Sequence, residues 1–187
     1  MRRRHTQTIG LSGSLALAAL ALLLSVPFAR ANDIAQKDAI TLLACLDATA
    51  VPDNSDLIRK VANACIGRVS QPCMRGPEGL TTIGMSGCMK REAAGWDVLL
   101  NADWPMLVAK ARNKDAKNTS YTQTVASAAQ TLQTAQRAWI AWRDAECDHA
   151  YAEWDPGSMR TIAAADCWLR LTAERAIEFH LRTRGEP

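Results

Sequence analysis

The feature that most constrains this chain is the symmetry of two cysteines about one glycine. Cys147 lies ten residues before Gly157, and Cys167 lies ten after it. The flanking stretch, Leu132 to Leu171, reads as two helical runs broken at Asp155-Pro156-Gly157-Ser158. Equal offsets bring the two cysteines level if the runs fold back on each other as antiparallel helices. A disulfide there would staple the hairpin. Closing a loop of that size stabilises by ~3 kcal/mol, mostly through the unfolded state. The alternative is two cysteines that pair elsewhere or stay free in the core.

The remaining cysteines extend the argument. Cys45, Cys65, Cys73 and Cys88 make six in all, and every one follows Ala31. Met1 to Ala31 has the pattern of a secretory signal: Arg2, Arg3 and Arg4, an apolar run from Leu15 to Leu24, Pro27, then Ala29-Arg30-Ala31. That run is short for a membrane span, which needs ~20 residues. We expect cleavage before Asn32 and no stable membrane insertion afterwards; the alternative is an uncleaved anchor. An even cysteine count in an exported chain points to a disulfide framework. Fifteen pairings are open, and the simplest is sequential: 45–65, 73–88 and 147–167.

Cleavage changes the charge. The full chain has 22 Lys+Arg and 19 Asp+Glu; the signal takes four arginines and no acid, leaving 18 against 19, or −1. This balance gives no support for nucleic-acid binding. We divide the chain into the signal (1–31), an N-terminal helical extension with a disulfide (32–71) and a helical domain (72–183).

Hydrophobic spacing predicts helices throughout. One runs from Ile34 to Ala48. A second starts at Ser55 or Asp56 and runs to Ile66, with Gly67 at its end. Residues 70–79 read as a loop. A third helix starts at Thr81 or Thr82, with a kink or restart expected at Asn101 to Trp104 because Pro105 lacks an N–H. A long helix follows from about Tyr121 to Trp154, with Ala129, Leu132, Gln136 and Trp139 on one seam. The last starts after Ser158, expected as its N-cap, and ends near Arg182. No stretch alternates as a strand would. The expected fold is all-α, a compact helical bundle with a long disulfide-stapled C-terminal hairpin.

Few residues suggest chemistry. Glu146 and His149 form a Glu-x-x-His pair, but a di-iron bundle needs a second such pair and further carboxylates. By mirror counting about residue 157, His180 falls level with Thr134, far from His149. Asp144 and Glu146, two apart on a helix, diverge. There is no phosphate-binding glycine loop and no nucleophile elbow. We expect no enzyme, no metal and no cofactor. Structural roles fit the hairpin's polar residues better. Mirror counting pairs Asp144 with Arg170 and sets Arg175 against Trp139. It places Arg143 over Leu171, with its head reaching Asp144. With Trp142, these six form the expected fold-holding set.

At these residues the chain resembles the lysozyme-inhibitor LprI-like N-terminal domain family. The likeness rests on the run Gln136-Arg137-Ala138-Trp139-Ile140-Ala141-Trp142-Arg143-Asp144-Ala145-Glu146-Cys147. It continues through Gly157-Ser158, Cys167 and Leu171-Thr172-Ala173-Glu174-Arg175. Upstream lie Met85 to Cys88 and Leu100-Asn101. Trp104 stands where the family often has Tyr, and Pro105 after it is unusual. The resemblance covers roughly Cys73 to Leu181, leaving 32–71 outside it. It implies an exported, helical, disulfide-bearing protein whose partner is a lysozyme. The alternative is an envelope helical domain with another protein partner. Lysozymes are generally cationic, and the apex Glu153-Trp154-Asp155 would suit a plug with acidic tips and aromatic support. The alternative for the apex is an ordinary turn whose Trp154 closes the core.

Overall fold

The computed structural model describes residues 14–48, 55–117 and 126–185, with backbone alone for 14–30 and 55–56. Among these residues six α-helices follow in order: α1 (Ser14–Ala48), α2 (Ser55–Asn63), α3 (Ser70–Arg75), α4 (Thr82–Lys117), α5 (Ala128–Ala152) and α6 (Met159–Arg184). A 3₁₀ turn, Pro77–Gly79, lies between α3 and α4. Among the described residues there is no strand. Contacts divide the chain into residues 1–34 and a compact unit from Ala35 onward. The boundary falls within α1, which runs through the expected cleavage position. Arg2 to Arg4 and the break at Pro52 to Asn54 lie outside the described residues, as do Tyr121 to Val125.

α6 is the central helix of the compact unit. From Leu169 onward, Leu169, Leu171, Thr172, Ala173, Ala176, Ile177, Phe179, His180 and Leu181 are all buried. Such a set exceeds one helical stripe, so neighbours must enclose the helix on several sides. α4 is the most extensive of them, followed by α5 and α2. The core joins Trp96 and Leu100 of α4 to Ile177 and Phe179 of α6 and to Leu42 and Leu46 of α1. Trp96, Phe179, Leu42 and Ile177 are wholly or almost wholly enclosed. Each such aliphatic or phenyl side chain contributes ~1.5–3 kcal/mol of burial.

Residues 35–48 are bound into this core. Asp38, Ala39, Leu42 and Leu46 form the inward stripe. Gly95 of α4 lets the helices approach: an added Cβ would stand 3.1 Å from Leu42 and 3.3 Å from the Ala39 nitrogen. Arg91 donates Nε and Nη2 to the two oxygens of Asp38, at 2.7 and 2.8 Å. That bond, together with the neighbouring carboxylate charge, raises the guanidinium pKa.

A buried carboxylate organises the turn after α2. Glu92 has no exposed surface. It accepts hydrogen bonds from the backbone N–H groups of Gly67 (2.7 Å), Val69 (3.0 Å) and Ser70 (2.6 Å). The Trp96 indole N–H adds a fourth, at 3.0 Å. A buried carboxylate is tolerable only with such a set of donors. Gly67 sits at φ 97°, a conformation glycine adopts without strain.

Several expected boundaries shift. Residues 70–79 are not a plain loop: α3 and the 3₁₀ turn occupy most of it, and the first N–H of α3, that of Ser70, is satisfied by Glu92. α4 does not restart near Asn101 but runs through Pro105, which lies on the exposed side. The proline forfeits one backbone bond, and packing on both flanks, through Leu100 and Leu107, holds the helix. Among described residues α5 begins at Ala128, with Ser127 as N-cap accepting from Gln130 N. Ser158 does not cap α6 with its side chain; its carbonyl accepts from Thr161 instead. Asp115, near the end of α4, accepts from Ser127 Oγ (2.7 Å), Ala128 N (2.6 Å) and Ala129 N (3.0 Å). Those bonds, led by the one from Ala129, lower its pKa. Lys110 reaches the last carbonyls of α6, Arg182 and Thr183.

Three disulfides are formed: Cys45–Cys65, Cys73–Cys88 and Cys147–Cys167, with Cα separations of 5.9, 5.7 and 5.4 Å. The third joins α5 to α6 and makes them the expected hairpin.

Candidate functional site

Trp168, Thr172, Arg175 and Phe179 recur at helical spacing along α6, as do Gln136, Trp139 and Arg143 along α5. Where the two faces meet they alternate aromatic rings and guanidinium groups. Arg143 lies 4.3 Å from the Trp168 ring centroid and 5.0 Å from that of Trp139. Arg175 lies 5.4 Å from Trp139 and 4.6 Å from Phe179. Phe179 in turn stacks on Trp104 of α4 at 5.6 Å. Both guanidinium groups also donate hydrogen bonds. Arg143 donates to Asp144 (3.1 and 3.0 Å) and Thr172 (3.4 Å). Arg175 donates to Gln136 (3.0 Å) and Glu178 (2.7 Å). Both arginine side chains are mostly covered, at 12% and 13% exposure.

Trp139, Arg143, Asp144 and Arg175 are therefore brought together. Arg170 is not. Its expected pairing with Asp144 is absent: Asp144 bonds its own neighbour Arg143, while Arg170 pairs with Glu174 at 3.5 Å. The physical reason is reach. An arginine adjacent in sequence and a glutamate one turn on compete successfully with a residue across the hairpin. Trp142, of the same expected set, is 51% exposed. Trp168 and Phe179 were missed as aromatic partners. Their signal was the spacing 168, 172, 175, 179, which puts them on one face.

Two clefts flank the ladder, of about 390 and 470 Å³, and both include Asp97 and Arg143. Asp97, Arg137 and Arg143, which line them, already have partners in Asn101, Thr134 and Asp144. Neither cleft offers an unpaired nucleophile or acid–base pair. Glu146 and His149 do not assemble a metal centre: His149 is exposed and faces Glu153 at 3.5 Å. Cys73, Glu78 and Cys88 come close together, but both sulfurs are consumed by their disulfide and have no thiolate to offer.

The hairpin end has a different character. Glu153, Trp154 and Asp155 are all exposed. Trp154 does not close the core; it is 50% exposed, with Tyr151 at 40% and Met159 at 45% beside it in sequence. Arg160 lies over the Tyr151 ring at 5.0 Å. A cleft of about 480 Å³ opens here against Met89 of α4.

The family described as Lysozyme inhibitor LprI matches residues 73–179, more than half of the chain. The chain belongs to the LprI family. Its matched segment holds the whole arginine–aromatic ladder and both hairpin cysteines. An uncharacterized protein of Rhizobium meliloti (strain 1021) is 29% identical over 101 residues, covering 54% of this chain and 73% of its own length. An uncharacterized 17.7 kDa protein in the puhA 5′ region of Rhodobacter capsulatus is 26% identical over 127 residues, covering 66% and 76%. No solved structure matches the chain. This LprI-family chain is a non-enzymatic helical domain, and its family is consistent with a periplasmic or secreted location. Among the described residues, no helix is long and apolar enough to cross a membrane.

Proposed function

We propose that this protein is an exported binding domain of the cell envelope, freed of residues 1–31, and that its partner is a lysozyme. The observation that carries the reading is the exposure of Trp154 between Glu153 and Asp155 at the end of a disulfide-pinned hairpin. Large aromatic side chains held rigidly at a surface are the usual anchors of protein interfaces, and flanking acids steer a cationic partner toward them. The Cys147–Cys167 bridge and the ladder hold α5 against α6, so little conformational freedom is lost on binding. The family's description supplies the target. An envelope partner other than lysozyme is the second reading, favoured by the same exposed apex.

Titration of the mature chain against chicken-type, goose-type and invertebrate-type lysozymes tests the proposal. A stoichiometric complex with one of them is expected. Absence of binding to all three removes lysozyme and leaves the broader binding role.

A further inference from the structure

The cleft beneath the hairpin end has an apolar floor and an acidic wall. Met89, Ile162 and Ala163 supply apolar lining, and Cys167 of the disulfide is part of it. Glu146, Glu153 and Asp166 bring three carboxylates to the same cleft. One cation, Arg170, also lines it, and that group is paired with Glu174 at 3.5 Å. The imbalance extends beyond the cleft. Residues 144–174 carry seven carboxylates and two arginines, whereas the rest of residues 32–187 carries twelve acids and sixteen Lys+Arg. Negative charge is thus concentrated in the distal part of the hairpin, between Arg143 and Arg175, where this cleft lies.

From this complementarity we infer that the cleft receives a basic side chain, arginine or lysine, from a cationic protein partner. The aliphatic stem of such a side chain lies over the apolar floor while its charged head meets the carboxylates, and Trp154 at the rim offers a ring face. The inference deepens the binding role proposed above, adding a socket on this protein for a residue of the partner. A carboxylate-lined socket in a low-dielectric wall also accelerates association with a basic protein.

The test uses the full mature protein and two probes. Nα-acetyl-L-arginine amide is titrated while backbone and indole NMR resonances are followed, with Nα-acetyl-L-norleucine amide as the uncharged control. Shifts confined to the cleft, centred on Ala163 and the Trp154 indole, are expected from the arginine probe alone. The Glu146→Gln/Asp166→Asn variant, whose fold is checked by circular dichroism, should weaken that response about tenfold. An equal response to norleucine, or shifts elsewhere on the surface, overturns the inference. The second arm is lysozyme. If the variant binds it as tightly as the wild type, the socket is wrong and the lysozyme reading stands. If lysozyme fails to bind while arginine fills the cleft, the lysozyme reading falls and the socket stands for another basic partner.

Discussion

Arg143 of α5 stacks on Trp168 of α6, its guanidinium carbon 4.3 Å from the ring centroid, while Asp144 takes two of its N–H groups. The contact crosses the hairpin between the two helices that the disulfide joins. Lysine can keep the charge there but not the flat fork or its stacking. Arg143→Lys should therefore destabilise the fold by ~1–2 kcal/mol, read from denaturant unfolding. A change within ±0.5 kcal/mol, as expected for an ordinary surface site, would contradict the ladder's role.

The staple makes a larger contribution. Replacing both Cys147 and Cys167 with serine should cost ~2–5 kcal/mol, the range for a native bridge in a small secreted domain. Differential scanning calorimetry of the oxidised wild type and the variant measures it. Peptide mapping without reduction must also recover Cys147 with Cys167.

Glu92 is the most demanding position in the core. Glu92→Gln keeps the shape but replaces a charged acceptor with an amide whose NH₂ faces donors. Four N–H groups then compete for one carbonyl oxygen. We expect a loss of ~2–4 kcal/mol, with hydrogen exchange rising first at Gly67, Val69 and Ser70. Unchanged protection at those three amides would show that the carboxylate does not hold the turn.

Asp115 ties stability to acid. Its folded pKa is lowered by the N–H groups of Ala129 and Ala128 and the Ser127 hydroxyl. The ionised form is thus favoured by folding. Its stabilising contribution is complete above the ordinary aspartate pKa of about 3.9 and disappears as pH falls through the depressed folded value. Asp115→Asn should lower stability at neutral pH and flatten the acid limb of the unfolding profile below about pH 4. A variant whose acid limb matches the wild type would rule the residue out as a source of that dependence.

Trp154 separates binding from folding. Because it is half exposed, Trp154→Ala should change stability by less than ~0.5 kcal/mol. In the lysozyme titration it should weaken affinity at least ~10-fold if the ring is an interface anchor. Loss of folding instead would return Trp154 to the core.

The sequence was most legible where spacing alone decides the geometry. The offsets about Gly157 placed Cys147 against Cys167, and mirror counting set Arg175 against Trp139. It failed where two partners compete for one charged side chain. The counting that brought Asp144 level with Arg170 could not show that Arg143 and Glu174 were nearer partners. Nor did periodicity identify Glu92 as the anchor of residues 67–70, because a buried glutamate looks like any exposed one until its donors are in place. The helix did not restart at Pro105 for a related reason: one missing hydrogen bond is a local fact, and the packing that outweighs it is not.

The donors around Glu92 come from Gly67, Val69 and Ser70, all before the first family-matched residue, Cys73. A recombinant fragment trimmed to residues 73–179 would keep the carboxylate and discard three of its four partners. It would also lose Asp38 opposite Arg91 and leave an unfilled groove where Leu42 crosses Gly95. The stretch that defines kinship is therefore shorter than the stretch that must be expressed together. Truncation from the N-terminal side should yield insoluble or partly ordered material well before it reaches Cys73.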